Sequence, residues 1–177
     1  MPQVSFADLP DHARLWIFAA DRPLAAEEQR LVTEALETGL AAWQAHGSAV
    51  TWGHSLVHQQ FLMVGVDETQ TALTGCSIDS AVHRFKDLES RLGLSLLDHG
   101  RVFYRDPSGI RAVSRPEFRE LAASGRVSER TVVFNNVIPT LAEFRRGNWA
   151  VPAGQSWHDK AFPLTARPPR SGHSPSS

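Results

Sequence analysis

Two six-residue stretches, Leu15-Trp16-Ile17-Phe18-Ala19-Ala20 and Phe61-Leu62-Met63-Val64-Gly65-Val66, carry no charge and no side-chain hydroxyl or amide. They limit the fold more than anything else in the 177 residues. Neither approaches the ~20 apolar residues that a membrane helix needs. A strand exposed on one face would alternate polar with apolar, and these do not. Continuous apolar runs of this length suit strands covered on both faces.

The chain between and around them supplies the partners. Over residues 24–46, Leu24, Leu31, Val32, Ala35, Leu36, Leu40 and Trp43 fall on one side of a helix. Glu27 and Glu28 occupy its first turn, where carboxylates suit the dipole, and Gly47 follows its end. Val50 to His58 alternates roughly and predicts a half-exposed strand. His58-Gln59-Gln60 must then turn the chain, without the Asn-Gly or Gly-X pair that tight hairpins favour. Val82, Phe85, Leu88 and Leu92 form the stripe of a second helix closed by Gly93, and Arg101 to Arg105 is a further strand.

Residues 14–106 therefore run strand, helix, strand, strand, helix, strand. This is the split βαβ order of a ferredoxin-like α+β core, with two helices on one face of the sheet. The wholly apolar strands are the first and third, which are central in that topology. Residues 1–13 are an irregular lead-in. Residues 107–164 form a small α/β extension. It starts with an Asp106-Pro107-Ser108-Gly109 turn, a return strand, and a Ser114-Arg115-Pro116-Glu117 capping box. A helix closed by Gly125, a strand at Thr131–Phe134 and a short helix from Thr140 to Arg146 follow. Periodicity is lost after Asn148, although Trp149, Val151, Trp157 and Phe162 are too apolar for a free tail. Residues 165–177 have the composition of a disordered tail. The helix-free face of the sheet needs a cover: the Trp149–Phe162 segment, a second copy in a homodimer, or a partner protein.

The formal charge of −1, with 16 Arg and 2 Lys scattered along the chain, gives no footprint for nucleic acid. The start of the chain lacks the basic and apolar regions of a signal peptide. A single cysteine forms no internal disulfide. We therefore expect a soluble, cytoplasmic protein with no membrane attachment.

That cysteine, Cys76, lies in Thr74-Gly75-Cys76-Ser77-Ile78-Asp79-Ser80, just before the second helical stripe. With Ser77 or Asp79 as N-cap, the thiol sits at a helix start, where amides and dipole favour an anion. The same setting lowers a thiol pKa. The competing view is a small buried apolar side chain with ordinary capping neighbours. Thiol catalysis needs a base and an orienting group. The candidates are His46 or His158 for the base and Asp79 for the orienter. Ser77, Asn135, Asn136 and Trp157 are candidate ligand contacts. At a strand end, asparagines more often simply make the turn. His54 and His58 stand four apart on a strand, but zinc takes three or four ligands. No metal and no cofactor is expected.

Trp43-Gln44-Ala45-His46-Gly47, Gly75-Cys76-Ser77-Ile78-Asp79, Val133-Phe134-Asn135-Asn136, Trp149-Ala150-Val151-Pro152 and Ser156-Trp157-His158 together resemble an uncharacterised family of small bacterial proteins. Its members often carry the label "ABC transporter ATPase". The resemblance spans roughly residues 10–162 and implies no established activity. The label fails on chemistry, because a P-loop needs G-x-x-x-x-G-K-[ST]. Neither Lys86 nor Lys160 follows a glycine-rich loop. Residues 101–152 also look like GYF-type modules that bind proline-rich peptides, though the Gly-Tyr-Phe triplet is absent. Two functions are thus expected as alternatives. One is a polar pocket around Gly75–Ser80 that binds a small anionic ligand or performs cysteine chemistry. The other is an interaction module using the open sheet face or residues 101–152.

Overall fold

The computed structural model describes residues 3–44, 51–67 and 75–164, with backbone alone for 41–44 and 75–78. In chain order it has a 3-10 turn at Phe6–Asp8, β1 at Arg14–Ala19, α1 at Ala26–Gln44, β2 at Thr51–Val57 and β3 at Phe61–Asp67. Then come α2 at Gly75–Leu92, β4 at Val102–Asp106, β5 at Gly109–Val113, α3 at Arg115–Ala123 and β6 at Val132–Phe134. Last are α4 at Leu141–Arg145, β7 at Ala150–Pro152, a 3-10 turn at Ala153–Gln155 and α5 at His158–Ala161. The fold is mixed α+β with two antiparallel sheets, ordered β1-β3-β2 and β5-β4-β6-β7. No helix among the described residues is long and apolar enough to cross a membrane. The chain divides into two compact units, Met1–His99 with Asn136–Trp149, and Gly100–Asn135 with Ala150–Ser177.

In the first unit, β3 is central and buried at every position from Phe61 to Val66. One sheet face carries Phe18, Trp52, Leu62, Val64 and Val66 against Val32, Leu36, Leu40, Ala81, Phe85 and Leu88 of the two helices. Phe18 meets Phe85 edge to face at 5.0 Å. The helices approach closely at Gly39, where an added Cβ would lie 2.7 Å from the Ala81 Cα. The start of α1 is fixed by Glu28, which accepts from the Ala25 amide and takes a fork of two 2.7 Å bonds from Arg22. The Arg22 hydrogen bonds, then the Ala25 amide, hold the Glu28 carboxyl down at about 2.

The turn between β2 and β3 is three residues long, His58 to Gln60, with Val57 paired to Phe61, and Gln60 N–H donates to Val57 C=O at 3.1 Å. His58 and Gln59 both take positive φ, 54° and 58°, as a type I′ turn demands. The missing glycine is offset by anchoring. Ala20 N–H donates to Gln60 C=O, Leu24 N–H to Gln59 C=O, and the buried Gln60 amide to Ala20 C=O.

The second face of this sheet is not open, and this corrects the expected partner surface. Leu15, Ile17, Phe61 and Met63 are 0–6% exposed. The lead-in does part of the covering, with Leu9 2% exposed. Gly53 and Gly65 stand opposite one another on β2 and β3. A Cβ on Gly53 would lie 2.6 Å from the Val4 carbonyl oxygen, and one on Gly65 2.6 Å from Leu9 Cδ1. The paired glycines make a trench that residues 4–9 fill. The rest of the cover returns from 136–149. Trp149 packs edge to face on Phe61 at 4.9 Å and tilts against Phe144 at 5.7 Å. Trp149 thus acts as expected of the Trp149–Phe162 segment, whereas Phe162 belongs to the core of the second unit.

The split βαβ order calls for Val102–Asp106 beside β1. Instead β4 pairs with β5 and β6 in the other sheet. The edge of β1 is met by the 139–142 backbone. Leu15 N–H donates to Pro139 C=O and Leu141 N–H to Ala13 C=O, around an Arg14–Thr140 bridge.

The second unit wraps its sheet around Val102, Tyr104, Phe118, Ala122, Val127, Val133, Ala153 and Phe162. The capping box forms as expected. Ser114 accepts from the Glu117 amide and the Glu117 carboxylate from the Ser114 amide. Asp106 accepts from Ser108 and Arg111 in the β4–β5 turn, which holds its carboxyl at about 2. The segment after Asn148, where periodicity fails, supplies β7 and α5.

Candidate functional site

The expected thiol site is only partly described. His46 lies outside the described residues, and Cys76 and Ser77 are described by backbone alone. That backbone changes one expectation: α2 already runs from Gly75, so Ser77 and Asp79 lie within the helix and do not cap it. Asp79 is exposed. It belongs to the first unit, His158 to the second. Asn136 is a structural acceptor, taking the Trp149 indole N–H at 2.9 Å. Asn135 ends the strand segment of the second unit and is half-buried. His54 and His58 do not act together. His54 lies 3.3 Å from Glu37 Oε1, while His58 leaves the strand and stacks on Trp149 at 5.9 Å. Of the two lysines, Lys86 lies inside α2 and Lys160 in α5.

Trp157 and His158 come together as a stacked pair, 3.8 Å between ring centroids. His158 is wholly buried against Phe118 and Phe162. Burial, with the nearby Arg115 charge, lowers its pKa to about 4. The imidazole is therefore neutral at pH 7. A base must be protonatable near the working pH to accept a proton efficiently, which argues against His158 in that role.

The first unit has an open groove of about 500 Å³ between α1 and α2. Leu31, Ala35 and Leu88 form its apolar part; Glu34, Ser80, His83, Arg84, Asp87 and Arg91 are polar residues along it. On α2, Ser80, Arg84, Asp87 and Arg91 recur at spacings of four, three and four, so one helical face presents them. The charges are not equivalent. Glu34 is paired with Arg30 at 2.7 Å and Asp87 with Arg91 at 3.6 Å. Arg84 has no carboxylate partner among the described residues, and neither does His83. The Thr38 hydroxyl is spent on the Glu34 carbonyl at 2.8 Å. The Ser80 hydroxyl has no such bond among the described residues. The groove thus offers an unpaired guanidinium, an imidazole and a hydroxyl above an apolar floor.

His83 and Arg84 are not among the residues that the sequence marks as a site. The available signal was the second, polar stripe Ser80–Arg84–Asp87–Arg91 beside the apolar one. What it could not supply was the second wall, contributed by α1 from more than forty residues away. No protein-family model, no curated protein and no solved structure matches the chain.

Proposed function

We propose that the first unit binds a small anionic ligand in the α1–α2 groove, with Arg84 as the charge partner and Ser80 and His83 as further polar contacts. The observation that carries this is Arg84, which is unpaired among the described residues. Among the described residues Glu34 is paired with Arg30 and Asp87 with Arg91, whereas Arg84 has no carboxylate partner. A planar guanidinium with five donors suits phosphate or carboxylate oxygens. The volume fits a small molecule or head group. Cys76 stands four residues before Ser80 in the same helix. Thiol chemistry remains a proposal carried by the sequence stretch alone. On the fold, we infer that the first unit is a split βαβ arrangement whose fourth strand position is taken by the 139–142 backbone. The antiparallel order β1-β3-β2 and the pairing beyond β1 support it.

The test is a titration of the full chain with inorganic phosphate, followed by amide and guanidinium NMR signals. Saturable shifts are expected at Ser80, His83 and Arg84. Arg84→Gln should weaken the affinity at least about tenfold. Arg91→Gln should do less, because that charge is shared with Asp87. Added chloride should weaken the interaction, as for any exposed charge pair. An unchanged spectrum, or equal affinities for wild type and Arg84→Gln, would remove the groove from consideration.

A further inference from the structure

Consecutive residues of the second unit each hold a polar atom that its fold does not use. Among the described residues, Nε2 of His158 is buried without a hydrogen-bond partner, and so is Nε1 of Trp157. They belong to rings in face-to-face contact, 25° from parallel. Buried polar nitrogens are nearly always paired, so two orphans in consecutive residues require an explanation. The other ring nitrogen of His158, Nδ1, lies 2.9 Å from Ser156 Oγ. An indole N–H can only donate. With the Ser156 hydroxyl donating to Nδ1, the neutral imidazole carries its hydrogen on Nε2, and both orphans are donors.

A cation stands beside them. The Arg115 guanidinium lies over the Trp157 ring, 5.2 Å from its centroid. Arg115 is exposed, and no carboxylate pairs with it among the described residues. Its neighbour Glu117 is committed to the Ser114 cap. Trp157 and Ser156 keep partial exposure.

We propose that the Ser156-Trp157-His158 turn is a binding site for a carboxylate. The ligand's two oxygens would accept from Trp157 Nε1–H and His158 Nε2–H, and Arg115 would supply the countercharge. A planar anion with two acceptor oxygens matches two donors on stacked rings better than a neutral carbonyl does. The site is independent of the α1–α2 groove and does not rest on the function proposed for it.

The experiment is a titration of the full chain with acetate, read from the indole N–H signals and from long-range nitrogen spectra of the histidines. Trp157→Phe identifies the indole signal. In the wild type, this signal should move downfield and saturate, with His158 in the Nε2–H form. Acetamide, an acceptor of similar size without charge, should bind at least about tenfold more weakly. Arg115→Gln, an exposed substitution that leaves the core intact, should weaken acetate by a similar factor. Inorganic phosphate acting at the groove should move Arg84 and leave Trp157 in place. The proposal is overturned by a Trp157 signal indifferent to acetate, including one that instead shows a lasting contact with a buried water. It is also overturned by a His158 protonated on Nδ1, or by an acetate affinity that Arg115→Gln does not change.

Discussion

At the scale of single residues, His158 has a measurable consequence in pH. Its folded pKa, about 4, lies below the ordinary value of 6.5 because the ring is buried beside Arg115. Above pH 6.5 the ring is neutral folded and unfolded, so it adds no pH dependence. Between 6.5 and about 4 only the unfolded chain takes up the proton, and stability falls as the pH falls. The loss across that window should reach roughly 3 kcal/mol. Urea unfolding at several pH values checks this, and His158→Gln should flatten the slope between pH 6.5 and 4.5 even if it lowers stability throughout. A wild-type slope of zero there would contradict the burial. A second prediction concerns Gln59, exposed and at φ 58°. Gln59→Gly should raise stability by about 1 kcal/mol, since a left-handed backbone costs an L-residue about that much. A lower melting temperature would mean that the Gln59 side chain, and not its backbone, holds the turn. The residues legible in the sequence were those whose partner is local. Ser114 and Glu117 announce each other across three positions. His158 does not announce its burial, because its sequence neighbours Asp159 and Lys160 are exposed and the rings that bury it come from elsewhere.

At the scale of elements, β1, β3 and α1 could be read directly, since burial on both faces and helical stripes are written in their own side chains. Sheet membership could not. The pattern of β4 is that of any part-buried strand, and whether it pairs with β1 or with β6 depends on residues far away in the chain, such as the Val133 that faces Tyr104. β7, three residues long, is too short for any period. The Gly53–Gly65 trench also escaped notice, although two glycines in register on adjacent strands mark a place where another backbone comes close. It supports a graded prediction. Gly53→Ala forces a Cβ against the Val4 backbone and should cost about 1–3 kcal/mol. Gly65→Ala meets the end of the Leu9 side chain most closely, not a backbone atom, and should cost less. Chemical denaturation of both variants checks the order, and equal effects would mean that the lead-in yields at both points. Ser114→Ala, for comparison, should cost about 1 kcal/mol through the lost cap.

At the scale of the whole molecule, the chain leaves the first unit at residue 99, builds most of the second, returns for residues 136–149, and leaves again. No single cut separates the units. Ending the chain at Asn135 removes Leu141 and Trp149 from one unit and β7 and Phe162 from the other. We expect such a product to lose cooperative unfolding in both units and to bind hydrophobic dyes. A sharp transition would show that one unit stands without its returning segment. The same crossing matters while the protein is being made. β3 is complete at Asp67, but Trp149, which covers its far face, is more than eighty residues downstream. At about 5–20 residues per second, a ribosome needs several seconds to deliver it. Throughout that interval Leu15, Ile17, Phe61 and Met63 of the nascent chain have only the lead-in above them. The newborn protein therefore presents a greasy sheet to its surroundings on every round of translation, and its yield should depend on how fast ribosomes traverse codons 68 to 149.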